Sequence, residues 1–261
     1  MNRDAAVILA GGSGSRMRAS VRDKVLEPLD GKPVIVHSFG AFLESGKVGR
    51  VVFACRDDAQ RDEIAAAVEK FYPQNSLEIV FCRGGAERSD SVLNALVALG
   101  ESDCDAETLV FIHDGARPLV GAENISRLSD AAKSDGAAVL AARVSDTIKK
   151  IPSDIKNLRA RIFEDLERPS LWAMQTPQVF RLAQIRAAYK KVRESGAAVT
   201  DDVAAANADG IGVSIVENIS PNPKITVPED IARIEFLLSR KKSNYGRTIQ
   251  NRARLRRAPA R

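Results

Sequence analysis

Short apolar runs alternate with segments of helical periodicity along the first half of the chain, and this alternation limits the fold more than any other feature. The apolar runs are of strand length and end at turn residues; they cover residues 5–9, 50–54, 77–81 and 108–112. Between them, apolar residues recur with the period of an amphipathic helix over 33–43, 59–71 and 89–99. Runs of this kind are typical of parallel strands that are buried on both faces. The sequence therefore predicts an α/β fold on a doubly wound, mostly parallel sheet.

The pattern changes after the fourth apolar run. Residues 137–142 and 144–151 have the character of two strands, and a charged, irregular stretch separates them from a third at 171–175. This arrangement predicts a β-arm inserted into the sheet domain at about 142–171, and a projecting segment commonly contacts a second subunit. Farther along, the patterns predict helices at 182–194, 201–208 and 228–238 and a strand at 212–217.

The positive charge of the chain is concentrated at its C-terminal end. The net charge is +5, but residues 240–261 contain nine basic and no acidic side chains, so the rest of the chain has a net charge of −4. We predict one domain over 1–239 and a disordered basic tail over 240–261, which lacks the apolar content to pack. Nucleic-acid binding through this tail is a minor alternative function, because Tyr245 is the only aromatic residue in it and the body is acidic.

Hydropathy and cysteine usage exclude several classes of protein. The first apolar run ends at Ala10, far short of the roughly 20 residues that span a bilayer. The three cysteines are widely spaced and form no CxxC pair, so neither a disulfide framework nor a zinc site is predicted. We expect a cytoplasmic protein with no membrane partner.

A glycine-rich loop directly after the first strand is the strongest chemical signal. It reads LAGGSGSRM over residues 9–17, and Lys24 follows it. Glycines let backbone N–H groups approach a phosphate closely, as nucleotide-binding loops require. The Walker A spacing is absent, and Met17 stands where a dinucleotide fingerprint needs its third glycine. Arg16 and Lys24 favour phosphoryl or nucleotidyl transfer, which needs cations near phosphate oxygens; the alternative is a flexible turn with a solvated basic pair.

Six further segments follow in an order that resembles a known family. They are GGAERSDSV at 84–92, HDGARP at 113–118, DTIK at 146–149, LWAMQTPQ at 171–178, TDD at 200–202 and KITVPED at 224–230. Over about residues 5–238 the chain resembles the 2-C-methyl-D-erythritol 4-phosphate cytidylyltransferase family, whose close relative is ribitol-5-phosphate cytidylyltransferase. The resemblance implies a Rossmann-like nucleotidyltransferase fold, CTP and a polyol phosphate as substrates, Mg²⁺ or another divalent cation as cofactor, and a homodimer joined by the β-arm.

The resemblance also implies roles for individual residues. The catalytic cations would be Arg16, Lys24 and Lys224. The acceptor substrate would be bound by Arg168, Thr147, Arg117, Thr176 and Thr200, with Thr147 and Arg168 reaching the neighbouring subunit's site. The nucleotide would be bound by Ala10, Gly11, Gly12, Gly14, Gly84, Gly85, Arg88, Ser91 and Asp114. Asp114 follows the fourth strand at the carboxyl edge of the sheet, where it would also contact the metal, and His113 is interpreted as an oriented strand-end residue.

Two departures from the family pattern lie beside the predicted catalytic lysines. The family pattern is Pro-Lys-Gln around the first lysine, whereas this chain has Asp23-Lys24-Val25 and one extra residue between Arg16 and Lys24. Before Lys224 stands Pro223, which removes a backbone donor and stiffens the chain. The resemblance leaves 2-C-methyl-D-erythritol 4-phosphate and ribitol 5-phosphate as alternative acceptors, and a uridylyl- or guanylyltransferase as a wider alternative.

Overall fold

A computed structural model describes residues 3–11, 23–100, 107–151, 159 and 163–240. Its strands are β1 (Ala5–Leu9), β2 (Pro28–Leu29), β3 (Lys32–Pro33), β4 (Arg50–Cys55), β5 (Glu78–Arg83), β6 (Leu109–Asp114), β7 (Ala137–Arg143), β8 (Lys149–Lys150), β9 (Glu164–Asp165), β10 (Trp172–Arg181) and β11 (Ser214–Glu217). Its helices are α1 (Val34–Ser45), α2 (Asp58–Phe71), α3 (Arg88–Ala98), α4 (Ala122–Asp135), α5 (Leu182–Ser195), α6 (Asp202–Ala208) and α7 (229–240). None of the described helices is long and apolar enough to cross a membrane.

Seven of the strands form one sheet in the order β11-β7-β10-β6-β1-β4-β5. All neighbours in it are parallel except β10, which is antiparallel to both β6 and β7. The chain runs from β1 to one edge of the sheet through β4 and β5 and then returns to β6 on the other side of β1. Ligands of open α/β sheets bind where the strand order reverses in this way.

Alternate residues of β1 show why both faces of the sheet are covered. Ala6 and Ile8 pack into a core with α1, α2, α4 and α7, whereas Ala5, Val7 and Leu9 pack into a second core with α3, α5 and α6. Both faces are apolar because helices lie on both, which removes the alternation of polar and apolar residues seen in half-exposed strands. The predicted doubly wound, mostly parallel α/β sheet is confirmed.

Strand β10 and helix α4 differ from the sequence-based prediction. The strand predicted at 171–175 continues to Arg181 as β10, with a register shift between Met174 and Gln178. Pro177 lies in this shift, and a proline within the run lowers the strand signal. The helix α4 was not predicted at all, because only two of its buried residues, Ile125 and Leu128, are large and apolar.

The predicted strand over 144–151 is wrong for most of its length. Only β8 is extended there, and it pairs antiparallel with β9. Much of the segment between these two strands, 152–158 and 160–162, lies outside the described residues, and the β-arm as a whole stays a prediction. The tail from residue 241 onward also lies outside them, whereas Arg240 belongs to α7.

A buried histidine joins the end of β6 to β10. His113 is fully buried, and its Nε2–H donates to the carbonyl of Arg117 at 3.3 Å. This bond leaves Nδ1 to accept from the hydroxyl of Thr176 at 3.1 Å, and that hydroxyl oxygen in turn accepts the backbone N–H of Asp114 at 3.0 Å. Burial lowers the pKa of His113 to about 4, so the imidazole is neutral at neutral pH. The strand-end interpretation of His113 agrees with this geometry.

The buried imidazole predicts a pH dependence of folding stability. Between about pH 6.5 and about pH 4 the unfolded chain binds a proton at His113 that the native protein does not bind. Stability is therefore highest above the unfolded pKa, and the free energy of unfolding should fall by up to about 3 kcal/mol across this window as the pH is lowered. Urea unfolding at several pH values would measure the slope in the wild type and in His113→Gln. An equal slope in both proteins would contradict the prediction.

Candidate active site

The carboxyl ends of β1, β5 and β6 meet at a cavity of about 200 Å³. Its walls contain the backbone at the end of β1, the start of α3, and two predicted catalytic lysines, Lys24 and Lys224. The lining residues are Leu9, Ala10, Gly11, Lys24, Val25, Gly85, Ala86, Glu87, Arg88, Ser91, Asp114, Ala116 and Lys224. Residues distant in sequence that were assigned to nucleotide binding and to catalysis are therefore brought together at the switch point of the sheet.

Asp114 lies at the centre of the charges in this cavity. Its Oδ2 accepts a hydrogen bond from Lys224 Nζ at 2.7 Å and lies 3.7 Å from Arg117 Nε, while its Oδ1 lies 3.5 Å from Arg88 Nε. Burial by itself would raise the pKa of Asp114, but Lys224, Arg88 and Arg117 together hold that pKa well below its ordinary value. The carboxylate is therefore ionised and orients the surrounding cations.

Arg88 is held at the cavity wall by a buried ion pair. Its Nη1 and Nη2 donate to the two oxygens of Asp202 at 2.9 and 2.7 Å, and the Tyr189 hydroxyl donates to Asp202 Oδ1 at 2.5 Å. Burial alone would lower the pKa of Arg88, but the Asp202 carboxylate more than offsets this effect and the pKa is raised. The sequence motifs gave Asp202 no role, although it lies in the TDD segment. It is 114 residues from its partner Arg88, and a pair this far apart leaves no local sequence pattern.

Glycines bring the backbone of residues 84–91 close to the cavity. The Gly84 N–H donates to the carbonyl of Cys55 at 2.7 Å, and the Gly85 N–H donates to Ser91 Oγ at 3.0 Å. A Cβ on Gly85 would lie only 2.0 Å from Cβ of Asp90, so this turn excludes larger residues. Ser91 is buried at the cavity wall, and its hydroxyl donates to the Glu87 carbonyl and so supports the turn.

The segment that leads into Lys224 is anchored by side-chain amides. Asn222 Nδ2 donates to the Thr176 carbonyl at 3.1 Å and to Gln175 Oε1 at 3.2 Å, while Arg117 Nη1 donates to the Asn222 carbonyl at 2.7 Å. The departure at Pro223 is therefore accommodated, because the bonds that hold this segment come from the side chain and carbonyl of Asn222. Sequence reasoning missed both Gln175 and Asn222 as anchors.

Several predicted substrate-binding residues lie away from the cavity or behind it. Thr147, Arg168 and Thr200 are exposed and do not line it, and Arg168 donates to the Ser145 carbonyl at 3.3 Å. Thr176 is buried, and its hydroxyl already bonds Asp114 and His113 behind the cavity. The predicted residues Gly12, Gly14 and Arg16 lie outside the described part of the chain.

Two carboxylates in the lining of the cavity could contact a metal ion. The described residues contain no group of three or more His, Cys, Asp and Glu side chains that could hold a metal. Mg²⁺ in nucleotide sites commonly uses one or two carboxylates, with phosphates and water as its other ligands. Asp114 and Glu87 are the carboxylates among the lining residues, and Asp114 is the one at the centre of the charges.

Several similar proteins have the same enzyme name. Residues 5–240 match the family model described as "IspD: 2-C-methyl-D-erythritol 4-phosphate cytidylyltransferase". The chain is 36% identical over 240 residues to the protein of that name from Bacillus velezensis, covering 92% of this chain and 97% of the other. The chloroplastic enzyme of Oryza sativa subsp. japonica is 38% identical over 235 residues, covering 90% of this chain and 74% of the other.

Solved structures of the same family share the fold. The 4-diphosphocytidyl-2C-methyl-D-erythritol synthase of Anaerococcus prevotii superposes with a TM-score of 0.74 at 26% identity, covering 90% of this chain and 97% of the other. The 2-C-methyl-D-erythritol 4-phosphate cytidylyltransferase of Francisella tularensis gives a TM-score of 0.72 at 28% identity, covering 90% and 99%. The family predicted from the sequence motifs is thus confirmed, and the chain belongs to the 2-C-methyl-D-erythritol 4-phosphate cytidylyltransferases, which are nucleotidyltransferase enzymes.

Proposed function

We propose that the protein transfers the cytidylyl group of CTP to 2-C-methyl-D-erythritol 4-phosphate in the non-mevalonate pathway of isoprenoid synthesis. The products are 4-diphosphocytidyl-2-C-methyl-D-erythritol and pyrophosphate. The observation that carries the proposal is the cluster of Lys224, Arg88 and Arg117 around Asp114, at the cavity where the glycine-rich loop begins. Family membership supplies the identity of the two substrates.

The reaction is an in-line displacement at the α-phosphorus of CTP. An oxygen of the acceptor's phosphate forms the new P–O bond, and the bond to the oxygen that bridges the α- and β-phosphates breaks, so that pyrophosphate leaves with the electron pair. A phosphate monoester is already ionised at neutral pH, so no general base is required. Arg16 and Lys24 stabilise the charge that develops at the α-phosphate, and Lys224 holds the acceptor's phosphate in line.

Asp114 orients the cations before the substrates bind. Its carboxylate accepts a hydrogen bond from Lys224 Nζ and so holds this ammonium group at the cavity. When a substrate binds, the ammonium group can turn an N–H from Asp114 towards a phosphate oxygen. A bound Mg²⁺ would offset the charge of the triphosphate, with Asp114 as its protein contact. Arg88 stays close to the nucleotide because Asp202 restrains it from behind.

The proposal extends to a cytoplasmic homodimer in which the β-arm completes the neighbouring site. Exposure of Thr147 and Arg168, away from the cavity of their own chain, supports this arrangement. Four large apolar side chains on and beside the same segment are also exposed: Ile148, Ile151, Phe163 and Met174.

The function is tested by pyrophosphate release from CTP and Mg²⁺ with each of two acceptors. We expect release with 2-C-methyl-D-erythritol 4-phosphate. Lys224→Ala should lower kcat/KM by a factor of about 10²–10³, because a positioned cation is lost from the transition state. Lys190→Ala is the matched control, since that side chain is 78% exposed on α5. Pyrophosphate release with ribitol 5-phosphate alone would identify that compound as the acceptor, and release with neither compound would reject the proposal.

Loss of the buried partner of Arg88 should weaken CTP binding. We expect Asp202→Asn to raise KM for CTP by about 10-fold or more, because the guanidinium loses a charged bidentate partner. Asp201→Asn is the comparison variant, since Asp201 caps α6 through the Ala204 N–H and is not bonded to Arg88. Steady-state kinetics with varied CTP would give both values. Equal KM values in the two variants would show that the Arg88 ion pair has no part in nucleotide binding.

A further inference from the structure

One buried side chain of α2 contacts both ends of the glycine-rich loop. Gln60 is 1% exposed, and its Nε2 donates to the carbonyl of Ala10 at 3.2 Å and to Oδ2 of Asp23. Its Oε1 accepts the backbone N–H of Arg56 at 2.6 Å. Ala10 is the second residue of this loop and Asp23 lies between the loop and Lys24, so a single amide group connects the chain at the two ends of the loop and ties it to the chain beyond β4.

Asp23 uses its remaining acceptors to fix the turn that contains Lys24. Its Oδ1 accepts the Val25 N–H at 3.2 Å, and its backbone carbonyl accepts the N–H groups of Leu26 and Glu27, each at 3.1 Å. The guanidinium of Arg56 lies 3.1 Å from Oδ2. The carboxylate is only 8% exposed, so these bonds are shielded from water.

Lys24 is therefore enclosed between two anchored neighbours. Val25 accepts the Ile35 N–H at 2.9 Å, which joins the turn to α1, while Asp23 joins it to α2. An Asp side chain that merely shaped a local turn would need only the bond to the Val25 N–H. The additional bonds to Gln60 and Arg56 link the turn to distant segments, which places Lys24 relative to the cavity.

We propose that Asp23 and Gln60 are positioning residues that hold Lys24 and the ends of the glycine-rich loop in place for cytidylyl transfer. This inference rests on the proposed function, in which Lys24 stabilises charge at the α-phosphate. In the family pattern a proline precedes the lysine and restrains the backbone through its ring. In this chain, Asp23 restrains the same position through hydrogen bonds.

The test uses two single variants and their combination. In Gln60→Glu, a carboxylate faces the Asp23 carboxylate and both donated hydrogen bonds are lost. In Asp23→Asn, the new NH₂ group can take the place of either carboxylate oxygen. In one orientation it faces the NH₂ group of Gln60, and in the other it faces the Val25 N–H, so a hydrogen bond is lost in both. The double variant Asp23→Asn/Gln60→Glu exchanges donor and acceptor and so restores the contact between the two side chains with one carboxylate beside Arg56, while the bond from residue 60 to the Ala10 carbonyl stays lost.

We expect each single variant to lower kcat for pyrophosphate release by about 10- to 100-fold, because displacing a catalytic group by about 1 Å has effects of this size. KM for the acceptor should stay within about threefold. The double variant should recover at least tenfold in kcat over Gln60→Glu. Glu63→Gln, which removes one negative charge as Asp23→Asn does but on the exposed side of α2, should retain the wild-type kcat.

Amide hydrogen exchange of residues 23–27 provides a readout that does not depend on turnover. Exchange should be faster in both single variants and slower again in the double variant; the midpoint of urea unfolding is measured for each variant, to establish that all of them are folded under the assay conditions. If both single variants keep the wild-type kcat while Lys24→Ala is inactive, the positioning role is overturned and the proposed function is unaffected. Slow exchange in the double variant without any recovery of kcat would also overturn it, because the contact between residues 23 and 60 would then be restored with no effect on turnover. Absence of turnover in the wild type would reject the function, and the positioning role with it.

Discussion

The ionised carboxylate of Asp114 is buried, and a buried charge is stable only when it is paired and hydrogen-bonded. Its partners come from three separate parts of the chain: Arg88 at the start of α3, Arg117 after β6, and Lys224 in the segment before α7. Because the carboxylate requires these cations, the three segments meet at one point at the carboxyl edge of the sheet. The rest of the site is arranged around this point.

A second layer of polar contacts holds the partners themselves. Asp202 restrains Arg88, and Asn222 restrains the segment before Lys224. On the other side, Thr176 accepts the Asp114 N–H while its own hydroxyl donates to the neutral His113. Cations fixed in this way are already in place before a triphosphate arrives, so less reorganisation is needed when charge develops at the α-phosphate. The low pKa of Asp114 keeps this arrangement constant around neutral pH.

The predictable parts of the structure are those with a local signal. Strands β1, β4, β5 and β6 were recognised because each is a short apolar run between helical patterns. The strand predicted at 171–175 is shorter than β10, because Pro177 interrupts the strand pattern. The helix α4 was not predicted, because its buried face is small and partly polar. The glycine-rich loop, Lys24, Asp114 and Lys224 were predicted from motifs, and the structure places the last three in the lining of one cavity. Asp202 and Gln60 were not, because they lie 114 and 37 residues from the partners they hold, and only the folded chain brings each pair together.

The two described lysines of the site reach the cavity through different kinds of restraint. Pro223 stiffens the backbone before Lys224, and the side chain of Asn222 anchors that segment to β10. Before Lys24 there is no proline, and the buried carboxylate of Asp23 makes the restraining contacts. A ring restricts the backbone whatever surrounds it, whereas a hydrogen-bonded carboxylate restrains it only while Gln60 and Arg56 are in place. Substitutions at Gln60 on α2 and at Arg56 after β4, neither of which lines the cavity, are therefore expected to act on Lys24, while Lys224 depends on the amides of β10 and its own segment.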